Sequence, residues 1–245
     1  MEIIHKNIGE TTLEALKRFR ASSGQHEERL SYAGRLDPMA SGKLLILEGE
    51  ENDSRSEFLG LDKTYEFTIL FGVSTDSFDL LGFPEEIVAD FSALTIDEIN
   101  EILQSFLGSW EMTYPPYSAK NVAVDNKKVP LWQLARSGHL PEKLPTKNVE
   151  VYEASCKSIE EMTSQEILKY VHTHIPLVSG DFRQREVIAR WEDVLKDQDQ
   201  FYLAHCRAAG SSGLYVRRLA KEVGVRLNVP ALAFSITRIQ IGKST

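Results

Sequence analysis

Apolar residues fall along this chain in two rhythms. Behind Thr11-Thr12, Leu13, Leu16 and Phe19 recur at three-residue spacing, which predicts a helix with a threonine cap. From Lys63 to Gly72 the pattern alternates instead, with Tyr65, Phe67, Ile69 and Phe71 on one face of a half-buried strand. The run Lys43-Leu44-Leu45-Ile46-Leu47 predicts a buried strand, and Asn52 to Leu61 a short helix. Thr95-x-x-Glu98 is a capping box opening a helix with Ile99, Ile102, Leu103 and Phe106 inward. Trp110 to Tyr114 is strand-like and stops at Pro115-Pro116. A basic polar loop, Tyr117 to Lys120, then leads to a helix with Pro130 at its start and Gly138 past its end. This excursion reads as a mobile flap.

Asn148 to Ser158 alternates as another strand. A capping box at Thr163-x-x-Glu166 and the segment Phe182 to Lys196 predict two helices of a peripheral insertion, residues 157–200. Phe201 to Arg207 and Ala233 to Ile241 are strands. Between them a small-residue loop opens a helix, Leu214 to Val223, that Gly224 closes. The elements lack βαβ regularity and a Gly-rich phosphate loop, which excludes a nucleotide-binding fold of that kind.

The 245 residues bound this to one large domain or two small ones. No apolar run approaches membrane-spanning length, and Met1 to Lys6 lacks the apolar stretch of a signal peptide, so a cytoplasmic protein without a membrane partner is expected. Cys156 and Cys206 predict reduced thiols rather than a disulfide framework or zinc site. His172-Thr173-His174 has no completing carboxylate or cysteine nearby, and no metal is expected there.

Net charge is −8, yet it is segregated. Thr64 to Ala119 holds ten acids and no lysine or arginine. From Pro115 to Lys147, Lys120, Lys127, Lys128, Arg136, Lys143 and Lys147 face two acids. From His205 to Arg226, five basic residues face Glu222 alone. Such segregation builds either a basic cleft on an acidic body or ordinary solvated faces.

The candidate chemistry begins at Ser31 to Gly42. Asp37 sits between Leu36 and Met39, and Pro38 pushes it away from helical angles. One reading is a stiff, carboxylate-tipped turn feeding a buried strand. The other is a helix N-cap with proline at the first helical position. Arg217 and Arg218 fall in the first turn of their helix, the wrong end for its dipole, which implies an anionic partner.

Five ordered blocks resemble the TruB family of tRNA pseudouridine synthases. They are Ala33 to Gly42 (G-x-L-D-P-x-A-x-G), Lys63-Thr64-Tyr65 (K-x-Y) and Gly72 to Gly82 (G-x-x-T-D-x-x-D-x-x-G). Pro115 to Ala119, with Leu134 to Gly138, resembles the RNA-gripping thumb. Gly213 to Arg217 with Leu219-Ala220 resembles G-T-Y-I-R-x-L. The resemblance implies an α+β pseudouridine-synthase fold: a central mixed sheet flanked by helices, with a cleft and a thumb at residues 115–147. It implies isomerisation of uridine to pseudouridine in the T-arm of tRNA, position 55, needing no cofactor, metal or obligate protein partner.

By that resemblance Asp37 is the nucleophile, attacking either the base or C1′. Tyr65 stacks on the flipped base and is a candidate proton acceptor, and Arg217 pairs with Asp37. Tyr32, Arg35, Lys63, Lys120, Lys127, Lys128, Arg136 and Arg218 are the expected RNA contacts. Several positions depart from the family. Tyr32 stands in place of its histidine, Asn7 in place of a proline, and Leu214 in place of a threonine. The thumb looks longer, the 157–200 segment is extra, and a C-terminal PUA domain is expected to be lacking. These departures bear on the choice of RNA. Rival readings are the same chemistry on another tRNA or mRNA uridine, and an RNA-folding chaperone with secondary catalysis.

Overall fold

In the computed structural model, which describes residues 1–24, 29–88, 94–196 and 200–242, the chain opens with β1 (Glu2–Lys6), α1 (Thr12–Ser23), β2 (Leu30–Ala33) and β3 (Ala40–Glu48). A 3-10 turn and α2 (Arg55–Leu59) lead to β4 (Lys63–Phe71), followed by a hairpin of β5 (Val73–Thr75) and β6 (Pro84–Ile87). Next come α3 (Ile96–Gln104), β7 (Gly108–Thr113), β8 (Asn121–Val124), β9 (Lys127–Pro130) and α4 (Leu131–Arg136). The remainder is β10 (Thr146–Met162), α5 (Ser164–His174), α6 (Gln184–Val194), β11 (Phe201–Gly210), α7 (Val216–Leu227) and β12 (Ala231–Ile241). None of the described helices is long and apolar enough to cross a membrane.

Eight strands form one mixed sheet in the order β1-β3-β12-β4-β11-β10-β7, with β2 also paired to β3. This is the expected α+β arrangement. β12 runs antiparallel to β4 but parallel to β3, pairing Ile236–Arg238 with Ala40–Gly42. That parallel joint lies immediately after the Asp37 turn.

Helices cover both faces. On one, Tyr65, Phe67, Ile69 and Phe71 of β4 meet Ile99 and Leu103 of α3 and Leu219 and Val223 of α7. On the other, Leu70, Phe201 and Leu232 meet Ile167, Val171, Val187 and Trp191 of α5 and α6. The expected half-buried β4 is therefore buried on both faces, with Glu66 alone exposed. The 157–200 segment is accordingly not peripheral. Trp191 is fully buried, and its indole N–H donates to the Leu80 carbonyl at 3.1 Å. Each large apolar side chain buried this way stabilises the fold by roughly 1.5–3 kcal/mol.

Two further local expectations change. α7 runs on past Gly224 and ends at Asn228, whose backbone is left-handed at φ 55°. Gly224 serves packing instead, since a Cβ there would lie 2.5 Å from the Ala231 side chain. The stretch before Pro130 is a β8–β9 hairpin, turned at Asp125 and Asn126 with φ of 49° and 64°. Those angles suit short polar residues in a two-residue turn. The flap is anchored, for Leu131 and Leu134 of α4 are buried.

Candidate active site

Asp37 and Pro38 form a tight turn, closed by the Ala40 N–H donating to the Asp37 carbonyl at 3.0 Å, and β3 follows directly. No helix begins there, which removes the N-cap reading. Two buried cations brace this turn. Lys6, at the end of β1, donates from Nζ to the carbonyls of Asn7, Pro38 and Ala40 at 3.0, 3.2 and 2.5 Å. Burial brings its ammonium down to about 8, although the nearby Asp37 charge pulls upward. Arg238, from β12, donates to the carbonyls of Lys43, Arg35 and Gly34 at 2.7, 3.3 and 3.2 Å. β12 approaches this closely because residue 42 is glycine: at φ +106° a Cβ there would stand 2.3 Å from the Arg238 carbonyl oxygen.

Arg217, the second residue of α7, is the hub. Its side chain is 2% exposed, whereas that of Asp37 is 35% exposed. Nε donates to Asp37 Oδ2 at 2.8 Å, Nη1 to the Ser77 carbonyl at 2.6 Å and Nη2 to the Tyr117 carbonyl at 3.2 Å. A second carboxylate, Asp79, lies 3.4 Å from Nη1. Asp79 accepts from the Ser77 hydroxyl at 2.6 Å and the Leu81 N–H at 3.1 Å. Burial pushes the Asp79 carboxyl up, against the pull of Arg217. Among the described residues Arg217 ties Asp37 through Oδ2 alone.

Asp37 and Arg217 stand in the wall between two cavities. One, of about 530 Å³, is lined by Tyr65, Arg35, Lys63, Leu214 and Tyr215 among others. The other, of about 470 Å³, is lined by Tyr117, Trp132, Arg136, Phe182 and Arg183. Burial pushes the Tyr65 phenol up, with the neighbouring Arg238 guanidinium working the other way.

The fold thus brings Asp37, Tyr65 and Arg217 together from distant sequence positions. Arg35 and Lys63 also line the Tyr65 cavity, and Lys120 stands at its rim, 5.2 Å from the centroid of the Tyr114 ring. Lys63 is a buried wall element. It donates to the Leu59 carbonyl at 2.9 Å and to that of Leu61, and burial brings it down to about 8. Arg136 lines the second cavity and pairs there with Asp181. Lys127 and Lys128 are exposed on the β8–β9 hairpin.

Besides these two lysines, two further expected RNA contacts, Tyr32 and Arg218, line neither cavity. Tyr32 packs against Ala15, Leu16 and Phe19 of the α1 side. Arg218 pairs with Glu222 one turn along α7. Sequence reasoning missed the structural roles of Lys6, Asp79, Arg183 and Arg238. Asp79 carried a signal, as one of two carboxylates in a Gly-bounded loop; Arg183 carried none.

The profile of the TruB family pseudouridylate synthases (N-terminal domain) matches residues 22–175. The chain is 30% identical over 240 residues to tRNA pseudouridine synthase B of Aquifex aeolicus, a match spanning 98% of this chain and 67% of that protein. It is 31% identical to the Bordetella avium protein of the same name, spanning 98% and 80%. Among solved structures it resembles a chain of an H/ACA RNP bound to a substrate RNA containing 2′-deoxyuridine, with TM-score 0.54 and 15% identity. A chain of a Cbf5–Nop10–Gar1 complex gives TM-score 0.55 and 16% identity. These two matches span 98% of this chain but only 47% and 48% of those chains, and at such identity they show the fold alone. On the profile and the two sequence matches, the chain belongs to the TruB family of pseudouridylate synthases.

Proposed function

We propose that this protein isomerises a uridine of tRNA to pseudouridine, that the uridine is position 55 of the T-arm, and that Asp37 is the nucleophile. The observation that carries the reading is the one carboxylate shared by both cavities and tied to a buried arginine. Its support from relatives is the name borne by the Aquifex and Bordetella proteins.

The reaction breaks the N1–C1′ bond, turns the uracil and joins C5 to C1′. C5 gives up its hydrogen as a proton and N1 gains one, so nothing is consumed. Asp37 adds covalently on the way and is released at the end. A uridine reaches it only when flipped out of the RNA stack. A cavity of about 530 Å³ falls in the range of roughly 300–1,000 Å³ typical of small-ligand sites. Tyr65 offers the base a flat face, and its burial keeps the phenol protonated at neutral pH, which suits packing better than a resting general base. Arg217 keeps Asp37 aimed and paired with positive charge. Lys120, Lys127 and Lys128 supply phosphate contacts at the rim and on the hairpin.

The test is incubation with an unmodified tRNA transcript, mapping pseudouridine by mass spectrometry, with Asp37→Asn alongside. Product in the T-arm from wild type alone is expected. Product at another uridine would move the target; no product, with binding retained, would sink the catalytic reading.

A further inference from the structure

We propose that Arg183, from the segment between β10 and β11, is a positioning residue that sets the aim of Asp37 through Arg217. The inference rests on the catalytic reading above.

Arg183 precedes the first turn of α6 with φ 62° and ψ 28°, a left-handed backbone that arginine seldom adopts. Both its Nη1 and Nη2 donate to Asp76 Oδ2 at 3.2 Å. Its guanidinium also lies over the rings of Phe83 and Tyr117, 4.4 and 4.8 Å from their centroids. Asp76 is in turn fixed to the loop: Oδ1 accepts from the Phe83 N–H at 2.8 Å, and its own N–H donates to the Phe83 carbonyl at 3.1 Å.

Two of the groups that Arg183 grips, Asp76 and Tyr117, lead straight to Arg217. Ser77, next to Asp76, presents the carbonyl that accepts from Nη1, and Tyr117 presents the carbonyl that accepts from Nη2. One guanidinium therefore clamps both backbone segments that orient another. α6 is tied to this loop a second time through Trp191 and the Leu80 carbonyl. If either carbonyl shifts, the planar fork of Arg217 must turn, and Nε leaves Asp37 Oδ2. Arg183 does this without a hydrogen bond or ion pair to either Arg217 or Asp37 among the described residues.

Single-turnover pseudouridine formation on tRNA transcript at saturating enzyme tests this, with RNA affinity and thermal melting measured on the same samples. Arg183→Ala should lower the saturated rate roughly 10- to 100-fold, the scale of a small misplacement at a reacting centre, with affinity held within about twofold. Arg183→Lys, which keeps the Asp76 pair but lacks the planar two-donor group that covers both rings, should recover part of the rate. Asp76→Asn should show a comparable loss, and the double variant should lose no more than the worse single.

An unchanged rate in Arg183→Ala would overturn the proposal. So would a loss confined to affinity, which would make Arg183 a phosphate contact, or a loss explained by a large fall in melting temperature. Losses that multiply in the double variant would also overturn it. A wild type that forms no pseudouridine removes the catalytic reading and this inference together. An active wild type matched by Arg183→Ala removes this inference alone.

Discussion

Arg217 holds Asp37 at 2.8 Å from Nε while its other two nitrogens are taken by the carbonyls of Ser77 and Tyr117. The guanidinium is thus fixed in rotation as well as position, and the carboxylate inherits that direction. A lysine keeps the charge but offers one compact ammonium for acceptors in several directions. Arg217→Lys should lower the saturated rate by at least about 100-fold. Arg217→Ala should also destabilise the fold by about 3–5 kcal/mol, because Asp79 is left buried without its cation. Urea denaturation separates the two effects.

Tyr65 should be read by splitting its ring from its hydroxyl. Tyr65→Phe keeps the flat face and should hold uridine binding near the wild-type level. Tyr65→Leu removes the face and should weaken substrate binding by about 1–3 kcal/mol, the worth of stacking one base. Equal affinity in the two variants, measured by titration with tRNA carrying an unreactive target, would remove the stacking role.

Lys6 makes stability depend on pH in a defined direction. Its proton leaves near 8 in the folded protein and near 10.5 in the unfolded chain, so between those values the unfolded state binds more protons. Its contribution to stability therefore rises with pH from about 8 upward, by at most about 1.4 kcal/mol per pH unit. Lys63, brought down to about 8 by burial, adds a term of the same sign. Unfolding free energies at pH 8, 9 and 10 should show a smaller upward slope in Lys6→Met than in wild type. An unchanged slope would mean that Lys6 keeps its proton throughout.

The exposed hairpin lysines should act on affinity and leave chemistry alone. Lys127→Ala with Lys128→Ala should weaken tRNA binding and reduce the slope of log affinity against log salt, by about 0.7–0.9 for each phosphate no longer neutralised. The rate at saturating enzyme should stay within about twofold. A fall in that rate would tie the hairpin to the geometry of the site.

Much of this was legible in the sequence where one local rule sufficed. The helices α1 and α3 follow from threonine caps and apolar spacing, and the Asp37 turn from Asp-Pro between glycines. The assembly of Asp37, Tyr65 and Arg217 was legible only through motif resemblance, since 28 and 152 residues separate them. The second buried face of β4 was hidden because Thr64 and Thr68 look like solvent-facing positions. In the fold both are buried, and Thr68 shares a hydrogen bond with the Ser235 hydroxyl at 2.7 Å. The Arg183–Asp76 pair spans 107 residues and has no local pattern to announce it. Gly224 misled for the opposite reason, since a glycine near a helix end usually marks a stop and here makes room for β12.

The joint at Gly42 and Arg238 bears on how the protein is made. Arg238, one of the two braces of the Asp37 turn, follows the Arg35 carbonyl it grips by 203 residues, and β12 carries it. During synthesis the carboxylate thus leaves the ribosome long before the arginine that stiffens its turn, so the turn gains its second brace only when nearly the whole chain has been made. The site's geometry is therefore completed by one of the last strands to emerge, which pairs in parallel with one of the first.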